Sequence, residues 1–356
     1  MKRTLVVLLT MAMLITTVVG CGKTAPETTA APETTAGDDS NIVKVDKPIE
    51  LSFACQNKPD HNETMAMEEF KKIVEERTAG MVTITIYPSG QLGTEREVAE
   101  QVMMGNTDMC YTSGATWANA LQAPELAVWE LPFLCQSVDA QKAIIQSIYV
   151  QECEGYMIPK GVRPLFGFSS SVRHLLLTEK TIESAADIEG LKIRVPEITM
   201  YVDTWRALGA NPTTTPWSEA YTALAQGVVD GVEVDPTSIL DANLQEITHN
   251  YYRTGHMGTM HLVAINENVW QSLPENVQQL FLEIGPQVSE NQIEQRKLDD
   301  QACEQKMIDA GVQIFDMTEE DKDLMFEKVQ PLYEQYRNEY GLGDLIDRVR
   351  EITKGL

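Results

Sequence analysis

Apolar and polar positions alternate over Ile49-Glu50-Leu51-Ser52-Phe53, the two-residue period of a half-buried strand. The period then changes. From Asn62, a residue suited to capping, Met67, Phe70, Ile73 and Val74 fall on one helical face, and the helix runs to about Arg77 with Gly80 as its stop. Met81–Tyr87 returns to strict alternation, and Pro88-Ser89-Gly90 forces a turn. Thr94 and Glu97 have capping-box spacing ahead of a helix through Met103. Strands follow near Asp108–Tyr111 and Val162–Phe168. This alternation predicts parallel βαβ units.

A second run begins near Ser171. Leu191–Val195 reads as a short strand closed by Pro196, Thr199–Leu208 as a helix, and Ser218 as the cap of another helix that stops at Gly227. Val228–Val234, Tyr251–Thr254 and Thr259–Ile265 read as three further strands, the last two returning to the first half. Pro274 opens a helical stretch to about Ala310, on the order of 50 Å long at ~1.5 Å per residue, with Gly285-Pro286 expected to kink or break it. A helix of that reach spans both halves. Glu319–Tyr340 and Asp344–Ile352 form a charged helical tail.

The first forty residues lack this patterning. Lys2 and Arg3 precede the apolar run Leu5–Val19, too short for a membrane span and shaped like a secretory leader. Val18-Val19-Gly20-Cys21 resembles a bacterial lipobox, so Cys21 is the expected lipidation site; the alternative is an ordinary secretory leader with an incidental cysteine. The near-repeats Ala25-Pro26-Glu27-Thr28-Thr29-Ala30 and Ala31-Pro32-Glu33-Thr34-Thr35-Ala36 bury too little apolar surface to order themselves, and read as a flexible tether. The expected location is outside the cytoplasm, anchored to the membrane by lipid alone, on the outer face of a plasma membrane or in a periplasm.

With 356 residues, 43% hydrophobic and 23% charged, the remainder is an ordinary folded α/β chain of two domains or one large unit. Its net charge of −25, two units more negative once Lys2 and Arg3 are removed with the leader, argues against nucleic acid or anionic lipid as a partner. An anionic ligand would need a local positive charge. Cys55, Cys110, Cys135, Cys153 and Cys303 have no CxxC spacing and read as core thiols, and His61, His174, His249, His256 and His261 show no metal-ligand spacing. No HExxH, P-loop or complete GxSxG motif is present, Gly167-Phe168-Ser169-Ser170-Ser171 lacking the second glycine. No cofactor, metal or catalytic residue is expected.

Four stretches together resemble the TRAP (tripartite ATP-independent periplasmic) solute-binding proteins, whose best-known branch binds C4-dicarboxylates. They are Tyr87-Pro88-Ser89-Gly90-Gln91-Leu92-Gly93; Leu131-Pro132-Phe133; Asp187–Pro196; and Gly209-Ala210-Asn211-Pro212 continuing to Glu233. Their order and spacing follow the family from about residue 48 to residue 340. The resemblance implies a two-lobed periplasmic-binding-protein-like α/β fold. Each lobe would be a sheet flanked by helices, joined by a long hinge-spanning helix and closing over one small organic acid. On that basis residues 1–20 are leader, 21–47 lipidated cysteine and tether, 48–170 with 260–299 one lobe, 171–259 with 300–340 the other, and 341–356 a helical tail.

The resemblance also points to Arg194 as the carboxylate partner, and the chemistry agrees: a guanidinium offers two parallel N–H donors, and Pro196 fixes the strand end. Arg173 matches a second ligand-contacting arginine, although its spacing to Arg194 is one residue longer than in the sialic-acid branch. Gln56 and Asn57 follow the first strand, where the family places ligand-facing polar groups. Ser113 and Trp117 follow another strand, in a fold class where ligands collect at strand carboxyl ends. Trp217 and Tyr221, four apart, are pocket-wall or core aromatics. Where many members carry an asparagine, Val234 and Asp235 stand here; this favours a hydroxylated monoacid such as a uronate or aldonate over a plain dicarboxylate. The expected protein is a monomeric receptor delivering its ligand to integral-membrane TRAP subunits. A receptor for an ATP-driven importer or sensor kinase, or a secreted enzyme on a similar scaffold, are the alternatives.

Overall fold

The computed structural model describes residues 41–356; the leader, Cys21 and the tether through residue 40 lie outside the described residues. Nine strands form one hydrogen-bonded sheet among the described residues, in the order β2-β1-β3-β8-β4-β7-β5-β6, with β9 beside β8. They are β1 Ile49–Ala54, β2 Val82–Tyr87, β3 Met109–Ser113, β4 Val162–Leu177, β5 Lys192–Val195, β6 Asn211–Thr214, β7 Gly231–Val234, β8 Asn250–Asn266 and β9 Gln313–Asp316. On one side of the central β8/β4 pair, β1 runs parallel to β2 and β3; on the other, β5 runs parallel to β6 and β7. β4 and β8 are antiparallel to each other and pass through both lobes. The sheets of the two lobes are therefore continuous in hydrogen bonding.

That continuity departs from the sequence pattern. Val162–Phe168 is the first half of a 16-residue strand, and the two strands expected at Tyr251–Thr254 and Thr259–Ile265 are one strand of 17. The apolar periodicity fails where the strands cross between lobes. There the β4/β8 register shifts between Ser169 and Val172, and Ser171 adopts a φ of 68°. Gln141 spans this irregularity, accepting from the Ser169 hydroxyl (2.5 Å) and donating to the Ser171 carbonyl (2.5 Å).

The long helix runs unbroken from Glu275 to Asp309 with Pro286 inside it. Pro286 and Leu282 lie on the exposed face, so water can satisfy the carbonyl that loses its donor. The buried face carries Phe281, whose ring lies 5.1 Å from Phe70 of the helix Asn62–Arg77, and then Gly285, packed on Phe166 of β4. Further along, Arg296 reaches Thr237 in the second lobe, so this helix joins the two. The cap of Asn62–Arg77 is His61 rather than Asn62, its ring nitrogen accepting from the Glu63 amide. The Thr94–Glu97 capping box forms as its spacing predicts. All five described cysteines are buried and free.

Candidate functional site

The parallel strands of both lobes aim their carboxyl ends at one cavity, the position where ligands collect in open α/β sheets. Gln56 and Asn57 follow β1, Ser113 ends β3, Arg194 lies near the end of β5, Trp217 follows β6 and Asp235 follows β7. The cavity lies between the lobes, with Arg173 of β4 and His261 of β8 also on its wall.

The turn Tyr87–Gly93 shapes the first wall. Ser89 and Gly90 donate their amides to the carbonyls of Asn57 (2.8 Å) and Cys55 (3.0 Å), and the Gln56 side chain donates to the Gly93 carbonyl (2.5 Å). Gly90 has a φ of 65°, and an added Cβ would lie 3.0 Å from Gln56 Oε1. Glycine is required here because the turn must bend left-handed and press against the loop it holds. The Asn57 amide nitrogen is committed to Glu63 (2.9 Å) and Tyr111 (3.0 Å). The Ser113 hydroxyl caps the following helix, accepting from Thr116 (3.1 Å).

The two arginines have different surroundings. Arg173 pairs with wholly buried Glu233 through two side-chain bonds of 2.5 and 2.8 Å, donates to the Glu233 carbonyl (2.8 Å), and lies 5.2 Å from the Tyr201 ring centroid. Burial opposes its charge, yet Glu233 holds its pKa above the ordinary value. Arg194, 2% exposed, donates from Nε and Nη2 to the Thr215 carbonyl (3.1 and 2.5 Å). Among the described residues no carboxylate forms an ion pair with it. Burial pulls its pKa down to about 10, partly offset by Glu233 and pushed further by Arg173. A buried cation without a counter-ion is costly, and an entering carboxylate relieves that cost.

Asp235 caps the helix Pro236–Asp241, accepting from Thr237 (2.7 Å) and Ser238 (3.0 Å), and Arg296 lies 3.7 Å away. Burial alone would raise its pKa; Arg296, Arg173 and these bonds bring it down to about 2, so the wall carries a fixed negative charge. Two further hydrogen bonds join the walls: Lys58 donates to the Asp241 carbonyl, and Asn119 to that of Glu197 (3.1 Å).

Gln56, Asn57, Ser113, Arg173, Arg194, Trp217, Val234 and Asp235 thus meet at one cavity. Trp117 and Tyr221 do not. Trp117 is a core residue whose indole donates to the Leu262 carbonyl (3.3 Å). Tyr221 packs against the Leu176, Leu224 and Val232 cluster, on the helix that follows the 3-10 turn carrying Trp217. The predicted Ser218 cap is absent: the helix begins at Ala220. Tyr201 and His261 line the cavity without having been singled out in the sequence. His261 gets there by pairing with Ser113 across β8 and β3, a register no local pattern carries. Among the described residues no group of three or more His, Cys, Asp or Glu is arranged to hold a metal ion.

A family model described as bacterial extracellular solute-binding protein, family 7, matches residues 53–339. A solute-binding protein of Sulfitobacter is 28% identical over 291 residues, covering 82% of this chain and 88% of its own. A crystal structure of a TRAP periplasmic solute-binding protein from Chromohalobacter salexigens, with bound D-glucuronate, superposes with a TM-score of 0.80 at 27% identity, covering 85% of this chain and 99% of that one. A Bradyrhizobium homologue in complex with D-galacturonate gives a TM-score of 0.80 at 25% identity over the same shares.

Proposed function

The chain belongs to the bacterial extracellular solute-binding proteins of family 7, and from that premise we propose that it is the receptor of a TRAP-type transporter and captures a sugar monoacid, a uronate or aldonate. One observation carries the choice of ligand. Of the cations on the cavity wall, Arg173 is matched by Glu233, His261 by Glu63 and Arg96 by Glu100, whereas Arg194 has no partner among the described residues. The site thus offers one buried cation with no ion-pair partner among the described residues, a place for one carboxylate. The rest of the wall combines hydroxyls, amides and apolar side chains with three carboxylates, Glu95, Glu197 and Asp235, which would accept from hydroxyls and repel a second carboxylate. The glucuronate and galacturonate bound by the two structural relatives fit this balance.

Ligand bridging the two walls favours the closed arrangement by its differential affinity for it. The lobe boundaries, 48–170 with 260–299 and 171–259 with 300–340, are supported by the register shift and positive φ at Ser171. The ligand leaves unchanged, handed to the integral-membrane subunits. The leader and Cys21 support a lipid anchor on the extracytoplasmic face, with the receptor acting as a monomer; no helix among the described residues is long and apolar enough to cross a membrane.

The test is a thermal-shift screen of uronates, aldonates, C4-dicarboxylates and keto acids. At 100 times Kd a true ligand stabilises by about 2.7 kcal/mol. A dicarboxylate stabilising more than every sugar acid would overturn the monoacid assignment, and conversion of the ligand during incubation would overturn the receptor.

A further inference from the structure

His261 lies across the cavity from Arg194, on the wall built by β3 and β8. Its Nδ1 is 2.7 Å from Glu63 Oε1, and its ring stacks on Tyr111 with centroids 5.4 Å apart. Glu63 is wholly buried in the first turn of the helix Asn62–Arg77, and its other oxygen accepts from Asn57 (2.9 Å). The groups facing the pair are His61, Nδ1 3.7 Å from Glu63 Oε2; Arg296 of the long helix, Nη2 4.0 Å from the same oxygen; Tyr111 of β3; and Glu95 of the helix Glu95–Met104. Burial disfavours charge on both partners. Their mutual attraction outweighs it, leaving the His261 pKa above its ordinary value and that of Glu63 below. Both shifts favour the ionised pair, an imidazolium beside a carboxylate.

With Nδ1 committed to Glu63, the ring has one donor left, Nε2–H. We propose that His261 is a ligand-positioning residue, Glu63 holding its ring so that Nε2–H donates to a hydroxyl oxygen of the sugar acid whose carboxylate rests on Arg194. This rests on the sugar-acid reading and extends it to the opposite wall. The pair is neutral overall, so it adds a strong donor without a second anion site. Loss of the imidazolium proton leaves Nδ1–H on Glu63 and turns Nε2 into an acceptor. Affinity therefore falls as pH rises through the raised His261 pKa.

The experiment uses the full chain with D-glucuronate and D-galacturonate as probes. Calorimetric Kd values are measured from pH 6 to pH 9 for wild type, His261→Gln and His261→Leu, and the His261 imidazole of the wild type is titrated by 15N NMR with and without probe. Wild-type affinity should weaken about tenfold across the titration. His261→Gln, which keeps a donor near Nε2 but cannot titrate, should bind about tenfold more weakly at pH 6 with a flat profile, and His261→Leu about 100-fold more weakly. Saturating probe should raise the His261 pKa, a readout that does not depend on any variant folding. Identical pH profiles in wild type and His261→Gln, or an imidazole titration unmoved by probe, would overturn the assignment while leaving the receptor reading intact. If neither probe binds wild type, the sugar-acid reading fails and this assignment fails with it.

Discussion

The Arg194 guanidinium lies over the Trp217 indole, 5.5 Å from the ring centroid, and both residues line the cavity. The aromatic face and the Thr215 carbonyl stabilise the cation from one side. Neither neutralises it. The proposed carboxylate role rests on this cation, with which no carboxylate among the described residues forms an ion pair.

Replacing Arg194 by Lys should weaken glucuronate binding by about 100-fold, roughly 3 kcal/mol, because the parallel donors are lost while the charge is kept. Arg194→Met should abolish binding, yet its ligand-free Tm should be at least that of wild type, since an unpaired buried charge is removed. Paired calorimetry and thermal melts check both. A ligand-free Tm well below wild type would mean that Arg194 holds the fold rather than the ligand.

Arg173 should behave in the opposite way. Arg173→Met strands a fully buried Glu233 beside His256, whose Nε2 lies 3.5 Å from it. The expected cost is about 3–5 kcal/mol in urea unfolding, with part of it recovered in the Arg173→Met/Glu233→Leu double variant. A variant that unfolds like wild type but no longer binds would show that Arg173 contacts the ligand as a free charge.

What could be read from the sequence was local. The Thr94–Glu97 capping box, the turn that presses on Gln56, the long helix and the strand-end arginine each depend on residues a few positions apart. What could not be read depends on distant pairing. Glu63 and His261 are 198 residues apart, and Arg173 and Glu233 are 60 apart. The cation left free and the cation already matched look alike until the sheet register is known. The β4 and β8 crossings were hidden because their centres trade apolar alternation for serines and glycines at the register shift. Trp217 lines the cavity as its position suggested, whereas Tyr221 is in the core, and a 3-10 turn stands where their spacing assumed one helix for both.

Gly285→Ala tests the packing of the long helix on β4. In an exposed helix the substitution would gain about 1 kcal/mol from propensity. Here an added Cβ collides first with Phe166 Cδ1 and lies 2.9 Å from its Cγ and 3.0 Å from its Cε1, and that ring is itself wedged against Phe70 and Phe168, with centroids 5.2 and 5.5 Å away. Overpacking costs about 1–3 kcal/mol, so the net change should be a lower Tm. Adding Phe166→Leu should restore it. A Tm raised by Gly285→Ala alone would show that the helix can lift from the strand without penalty.

His61 sets an acid limit on stability. Its Nδ1 accepts from the Glu63 amide (3.3 Å) and faces the Asn57 amide nitrogen (3.0 Å), so a proton there would set donor against donor. Burial and then Arg296 bring its pKa down to about 4 despite the attraction of Glu63. Between about pH 6.5, where the unfolded chain takes up the proton, and about pH 4, the folded chain refuses it. Stability from this residue is therefore complete above that window, falls as pH drops through it, and levels off below. Asp300, raised to about 7, and Asp241, raised to about 6, mainly by burial, act with the opposite sign, since their folded forms hold protons the unfolded chain releases. The His61 contribution must be isolated by difference. His61→Asn keeps an acceptor at the cap and removes the titration. Relative to that variant, wild type should lose roughly 3 kcal/mol between pH 6.5 and pH 4 in urea melts. Parallel pH profiles for the two proteins would mean that the folded chain accommodates the charged ring.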